Sequence, residues 1–298
     1  MNLDRFGMDT ITLAGTLEHK LAAIRAAGFR QVMLSARDLT SHDGGVDAAV
    51  QVVKRSGLRV TGFQVLRDFE GLSGHLHAYK VDIAKAMLKM CHAVGATLLL
   101  VCSSTSVHAT GDPDAIADDL AKLAMLAVPL RIRVAYEALS WGRHVNEYPQ
   151  AWDIVERANR SNLGLALDSF HMLATATPSD ELEYVFPDRI FLVQLADFMW
   201  QEIRSPEERI NTARHFRVFP GEGVHGDGVA ALVRRLDRMG YRGDYSFEVF
   251  NDDYVQLPVE AVAGRARQAT AWLTSRVARR SLPIRPHAAS ASLTPESS

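Results

Sequence analysis

Four apolar runs in the chain each carry a hard oxygen donor at or near their end. They are Val134-Ala135-Tyr136-Glu137, Leu165-Ala166-Leu167-Asp168, Leu192-Val193-Gln194-Leu195 and Ser246-Phe247-Glu248. Three carboxylates gathered at one place repel each other unless a cation neutralises them. The set Glu137, Asp168, Gln194 and Glu248 is all oxygen, which favours Mg2+ or Mn2+, with Co2+ a third candidate, over a thiolate or imidazole zinc site. Any one of these residues alone has a plainer reading, as a helix cap or the partner of an arginine. Their recurrence on four successive runs is what points to a metal.

Two histidines follow these donors closely. His171 stands three residues after Asp168, and His144 seven after Glu137. An imidazole with an ordinary pKa near neutrality is the usual proton-transfer group, so both are candidate catalytic residues. Arg67, just beyond another apolar run, and Arg214, in Arg214-His215-Phe216-Arg217, are candidate grips for a substrate carboxylate. The plain alternative for Arg67 is a salt bridge with Asp68 or Glu70. Ser103 and Ser104 are weaker candidates for hydrogen bonds to substrate, and Gly221-Glu222-Gly223 reads as a turn.

Short aliphatic or β-branched runs alternate with longer amphipathic stretches along the whole chain, as repeated βα units do. Strands are expected near 6–12, 31–34, 59–66, 97–102, 131–137, 163–168, 190–195 and 245–249. Helices are expected near 17–27, 46–56, 76–94, 113–127, 148–158, 229–239 and 259–277, several stopped by glycine. Eight strands with helices between them, in about 250 residues, predict a closed (β/α)8 TIM barrel of the α/β class. An open doubly wound sheet is the alternative, but Gly15 stands alone after the first strand where that fold carries a glycine-rich loop. In such a barrel the active site lies at the C-terminal ends of the strands, where the four donors fall. The expected domain is 1–278, followed by a disordered, Ser-, Ala- and Pro-rich tail over 279–298. Residues 198–211 fit no element.

The chain has 298 residues, 47% of them hydrophobic and 23% charged, with 33 Lys and Arg against 35 Asp and Glu. This balance excludes a disordered or collagen-like class and argues against nucleic acid as a partner, whose binders show a basic excess. Cys91 and Cys102 cannot build a disulfide framework, and a reducing compartment is the simplest setting for them. No signal-peptide or membrane-spanning pattern is visible, so a cytoplasmic protein acting on a small molecule is expected, and a homo-oligomer is compatible with that.

Glu137, Asp168-Ser169-Phe170-His171, Gln194-Leu195-Ala196-Asp197 and Glu248-Val249-Phe250-Asn251-Asp252 together resemble the xylose-isomerase-like barrels, which include sugar isomerases, epimerases and dehydratases. More narrowly, 64–71, 136–146 and 214–221 are similar to the bacterial 3-dehydroshikimate dehydratases. The third ligand position carries Gln194, as in those dehydratases, where many sugar epimerases carry His. The resemblance covers about 6–273. It implies elimination of water from 3-dehydroshikimate to give protocatechuate. The metal would polarise the ketone, His144 and His171 would move protons, and Arg67, with Arg214 less firmly, would hold the carboxylate. Some members carry a second, dioxygenase-like domain, for which this chain is expected to be too short. A metal-dependent epimerase or inosose dehydratase is the rival reading, and a non-catalytic ligand-binding barrel the rival of another class.

Overall fold

The structure is a computed structural model and describes residues 3–278. The predicted tail over 279–298, with Arg279, Arg280 and Arg285, lies outside the described residues. The first half runs β1 (Phe6–Asp9), α1 (Leu17–Ala26), β2 (Gln31–Ser35), α2 (Ala36–Thr40), α3 (Gly45–Ser56), β3 (Arg59–Leu66), α4 (Gly74–Ala93), β4 (Leu98–Cys102) and α5 (Pro113–Ala127). The second half runs β5 (Arg133–Glu137), α6 (Tyr148–Ala158), β6 (Leu163–Asp168), α7 (Ser169–Ala174), β7 (Ile190–Leu195) and β8 (Asp197–Phe198). It continues through α8 (Pro206–His215), β9 (Arg217–Val218), α9 (Gly226–Met239), β10 (Tyr245–Phe247) and α10 (Val259–Ala278).

Eight of the strands close into a parallel barrel in the order β1-β10-β7-β6-β5-β4-β3-β2. The expected (β/α)8 architecture is therefore the observed one. Helix starts follow local chemistry. Asp112 caps α5 through the Asp114 N–H ahead of Pro113, and Glu147 with Gln150 forms a capping box on α6. Gly57 ends α3 at φ 72, a left-handed conformation that a residue with a Cβ adopts only under strain.

Alternation of side chains along each strand separates two cores. One set, including Leu34, Leu99, Val134, Leu165 and Val193, faces outward into the large core beneath the helices. The other, Met33, Leu98, Leu100, Ala135, Ala166, Phe191 and Leu192, fills the barrel interior. Two residues beyond Leu100, Ala135, Ala166 and Leu192, on the same inner face, stand Cys102, Glu137, Asp168 and Gln194. The polar layer thus sits directly on an apolar plug that closes the barrel from below.

The elements α2, α7, β8, α8 and β9 escape the sequence reading. α2 and α7 are single short turns of helix that begin immediately after a strand, Asp168 itself capping α7 through the Phe170 N–H, so no apolar periodicity announces them. The unassigned stretch 198–211 is the second residue of β8, a loop and the start of α8. β8 pairs antiparallel with β9, Asp197 opposite Val218 and Phe198 opposite Arg217. No helix among the described residues is long and apolar enough to cross a membrane.

Candidate functional site

Strand register brings the donors together. Glu137 ends β5 and Asp168 ends β6. Gln194 on β7 is opposite Asp168 on one side and Ser246 on the other. Glu248 is the first residue past β10. All four are buried.

Each of Glu137 and Gln194 is held by one polar atom and leaves the other without a partner. Glu137 Oε2 accepts from the Cys102 thiol at 2.9 Å, and Gln194 Nε2 donates to Asp9 Oδ2 at 3.2 Å and Gln64 Oε1 at 3.3 Å. Glu137 Oε1 and Gln194 Oε1 are buried with no hydrogen-bond partner. Leaving a buried acceptor unsatisfied costs roughly 1–3 kcal/mol, and more for a charged group. Asp168 Oδ2 and Glu248 Oε2 converge instead on one guanidinium, Arg217, at 2.6 and 3.1 Å from its Nη1. Two orphaned hard oxygens beside two carboxylates already needing a positive neighbour fit a divalent cation, and the donor set is one that oxygen-seeking ions take. Glu137, Asp168 and His171 also place ligand atoms within 4.8 Å of one another.

The electrostatics point the same way. Burial pushes the Glu137 carboxyl well up, and repulsion from Asp168 and Glu248 adds to it. Burial also raises Glu248, against the opposing pull of Arg217. The Arg217 guanidinium stays charged because Asp168 and Glu248 outweigh its own desolvation. A bound cation would reverse the shifts on the carboxylates.

Above this layer lies a cavity of about 600 Å³. Glu137, Glu248, His171, Gln64, Cys102 and Arg217 line its polar side, and Trp141, Leu139 and Phe250 its apolar side. Arg67 and Arg214 both line it, together with Arg37, and none of the three forms an ion pair among the described residues. The salt bridge considered for Arg67 is not made. Asp68 accepts instead from Thr105, and Glu70 from the Ser104 N–H and the Tyr136 hydroxyl. Ser103 lines the cavity, its Oγ accepting the Leu139 N–H at 3.0 Å. Gly142 packs so closely there that a Cβ would lie 2.0 Å from the Val145 carbonyl and 2.5 Å from Ser103 Oγ.

The two histidines part company. His171 Nε2 faces the carboxylates, 3.7 Å from Asp168 Oδ2 and 3.9 Å from Glu137 Oε1. Its Nδ1 contacts the Ser140 hydroxyl at 3.0 Å and amide at 3.2 Å. Trp141 packs edge-on against its ring, 5.0 Å between centroids. Burial pushes the ring down to about 3, so it is neutral at physiological pH. His144 is exposed, makes a 3.0 Å bond to the Ala109 carbonyl and lies against Gly111, outside the cavity lining. Seven residues of loop after β5 carry it away from the barrel axis, which spacing alone does not reveal.

The sequence reading passed over Arg217, Asp9, Gln64, Cys102 and Arg37. Arg217 hides in the strand pair β8–β9, whose two residues per strand are too short to show alternation. Asp9 ends β1 as the later donors end theirs, a signal lost when the first strand is extended to Thr12. The segment 198–211 also acquires a role. Arg209 on α8 donates to the Ser140 carbonyl at 2.8 Å and so steadies the residue that holds His171.

A profile of the xylose isomerase-like TIM barrel family matches residues 21–276. The chain belongs to that family. Two curated relatives are 3-dehydroshikimate dehydratases of Pseudomonas aeruginosa, 39% identical over 254 residues, and Pseudomonas putida, 35% identical over 281 residues. The matches cover 85% and 93% of this chain but 39% and 43% of the relatives, so this family member spans about two fifths of their length. A solved xylose isomerase-like TIM barrel/4-hydroxyphenylpyruvate dioxygenase fusion protein superposes with a TM-score of 0.86 at 35% identity, over 93% of this chain and 44% of its own.

Proposed function

We propose that the barrel eliminates water from 3-dehydroshikimate to give protocatechuate, using a divalent cation held by Glu137, Asp168, Gln194 and Glu248. The observation that carries this reading is the pairing of two charges in one cavity. An acidic side carrying Glu137, with its orphaned Oε1, and Glu248 shares the cavity with Arg67 and Arg214, whose guanidiniums form no ion pair among the described residues. A small ring bearing a ketone, hydroxyls and a carboxylate matches both. A neutral polyol offers the two guanidiniums no negative charge to pair with, which sets the epimerase and inosose readings behind. The names of the two Pseudomonas relatives support the same substrate.

The cation, when bound, supplies Lewis-acid polarisation of the substrate carbonyl. The remaining work falls to side chains. Arg67 and Arg214 bind the carboxylate and set the ring against the polar side. His171 Nε2 is the proton-exchanging atom. With the Nδ1 proton donated to Ser140 Oγ, Nε2 is a free base; taking the substrate proton gives the imidazolium, which returns that proton from Nε2 to the departing hydroxyl while Nδ1–H stays on Ser140. Burial keeps the ring neutral before substrate binds. Trp141 and Leu139 keep water from the ring face. His144, outside the lining, is assigned no proton transfer. Mg2+, Mn2+ and Co2+ all suit the donors, and a reducing cytoplasm suits the two free cysteines.

Purified protein supplied with 3-dehydroshikimate and each divalent ion tests the reading by the near-ultraviolet absorbance of the aromatic product. A metal-dependent rise supports it, and no rise with any ion overturns it.

A further inference from the structure

A glutamine is an ambiguous metal ligand. Its amide turns through 180° at little cost, and only one of the two orientations offers oxygen to a cation. At Gln194 something must select between them. The side chain reaches Asp9 on β1, 3.2 Å from Oδ2, and Gln64 on β3, 3.3 Å from Oε1. Gln64 is itself oriented, because its Nε2 donates to the other Asp9 oxygen at 2.9 Å. Ser246 Oγ also donates to Asp9 Oδ2, at 3.2 Å. Asp9 is fully buried, and three donors from three other strands converge on its carboxylate.

We infer that Asp9 is a positioning residue that fixes the Gln194 amide with nitrogen toward β1 and oxygen toward the cation. Donors from Gln64, Gln194 and Ser246 already converge on the Asp9 carboxyl, so its oxygens act here as acceptors. Turning Gln194 would place its oxygen against Asp9 Oδ2 and against Gln64 Oε1, two repulsive contacts in a buried site. Asp9 acts twice, directly on Gln194 and again by holding Gln64 with its oxygen facing Gln194. The result is visible in the unpartnered Gln194 Oε1. The inference rests on the metal reading above and extends it to a residue outside the ligand set. Partners of metal ligands of this kind typically change metal affinity 10- to 100-fold when altered.

The test is Mn2+ affinity by calorimetry and the visible spectrum of bound Co2+, for the wild-type chain, Asp9→Asn, and Asp9→Asn combined with Gln194→Glu. An asparagine must donate with one arm and invites Gln194 to turn, so D9N is expected to bind Mn2+ roughly 10- to 100-fold more weakly and to alter the Co2+ spectrum. A glutamate at 194 offers oxygen in either orientation, so the double variant is expected to recover affinity to within a few-fold of wild type. If D9N does not fold, Gln194→Glu alone decides. Its carboxylate faces Asp9 and is expected to bind Mn2+ more weakly than wild type, although carboxylates are ordinarily the stronger ligands. Wild-type affinity and spectrum in D9N, no recovery in the folded double variant, or tighter binding in Q194E overturns the inference alone. Failure of the wild-type chain to bind any divalent ion overturns the metal reading and the inference with it.

Discussion

Arg217 donates to Asp168 across 2.6 Å, both side chains being almost wholly buried. The same nitrogen reaches Glu248 at 3.1 Å, and the guanidinium stacks over the Phe170 ring at 4.4 Å. This cation belongs to the chain itself and pairs with two carboxylates of the layer, Asp168 and Glu248. It joins Asp168 at the end of β6 and Glu248 just past β10 from β9, so the carboxylate layer and the β8–β9 pair are one electrostatic unit.

Arg217→Ala is expected to leave two buried carboxylates uncompensated and to destabilise the metal-free protein by about 3–5 kcal/mol. Urea unfolding measures the loss. Mn2+ is expected to restore part of it, because the ion supplies the missing positive charge. A variant as stable as wild type would show that Arg217 does not compensate Asp168 and Glu248.

Divalent ions are expected to stabilise the wild-type protein by mass action, about 2.7 kcal/mol at a hundred times the dissociation constant. Glu137→Ala and Glu248→Ala are expected to abolish that gain and to lose turnover. Thermal unfolding with and without a chelator reads both. Metal-dependent stabilisation and turnover retained in both variants would remove the metal hypothesis.

The two histidines make opposite predictions. His171→Ala is expected to lower kcat by 10² or more, on the scale of a lost general acid or base. His144→Ala is expected to leave kcat within a few-fold of wild type, since its ring bonds the Ala109 carbonyl and lies outside the cavity lining. Steady-state kinetics of the pair decide, and a kcat collapse in the His144 variant would place that ring in the chemistry after all.

Arg67→Ala and Arg214→Ala are expected to raise KM more than they lower kcat, by about tenfold or more for a lost charge-assisted pair. Lysine at either position is expected to rescue incompletely, because it cannot bind a carboxylate with two parallel hydrogen bonds. An unchanged KM in both alanine variants would leave the carboxylate without a grip.

Glu70 predicts a pH dependence of stability. Burial pushes its carboxyl from 4.5 up to about 7. The folded state therefore holds a proton that the unfolded chain has released between those values, and stability attributable to Glu70 is complete below pH 4.5 and falls as pH rises through about 7. Its full size is roughly 3 kcal/mol. Glu70→Gln is expected to remove this fall, so its stability relative to wild type rises between pH 5 and pH 8. Parallel pH profiles of unfolding for the two proteins would overturn the assignment.

Most of the fold was legible because its signals are local. Apolar runs of five or six residues, glycine stops and Pro113 behind Asp112 place β6, β7, α5 and α6 to the residue. Hydrophobic burial selects those patterns wherever the chain goes next. α2, α7 and the β8–β9 pair have too few residues for any period to show, and their order comes from the strands they follow.

The sequence by itself determined the eight-strand alternation, because period-two burial forces one residue in two to face the barrel axis, and Glu137, Asp168 and Gln194 lie two residues beyond that apolar plug. Only the tertiary structure decided which charges share that axis. It seated Arg217 between Asp168 and Glu248, turned His171 inward and His144 outward, and set Asp9 against Gln194 across 185 positions of chain. Such relations arise from barrel closure and loop path, which join residues by space and carry no trace in their spacing along the chain.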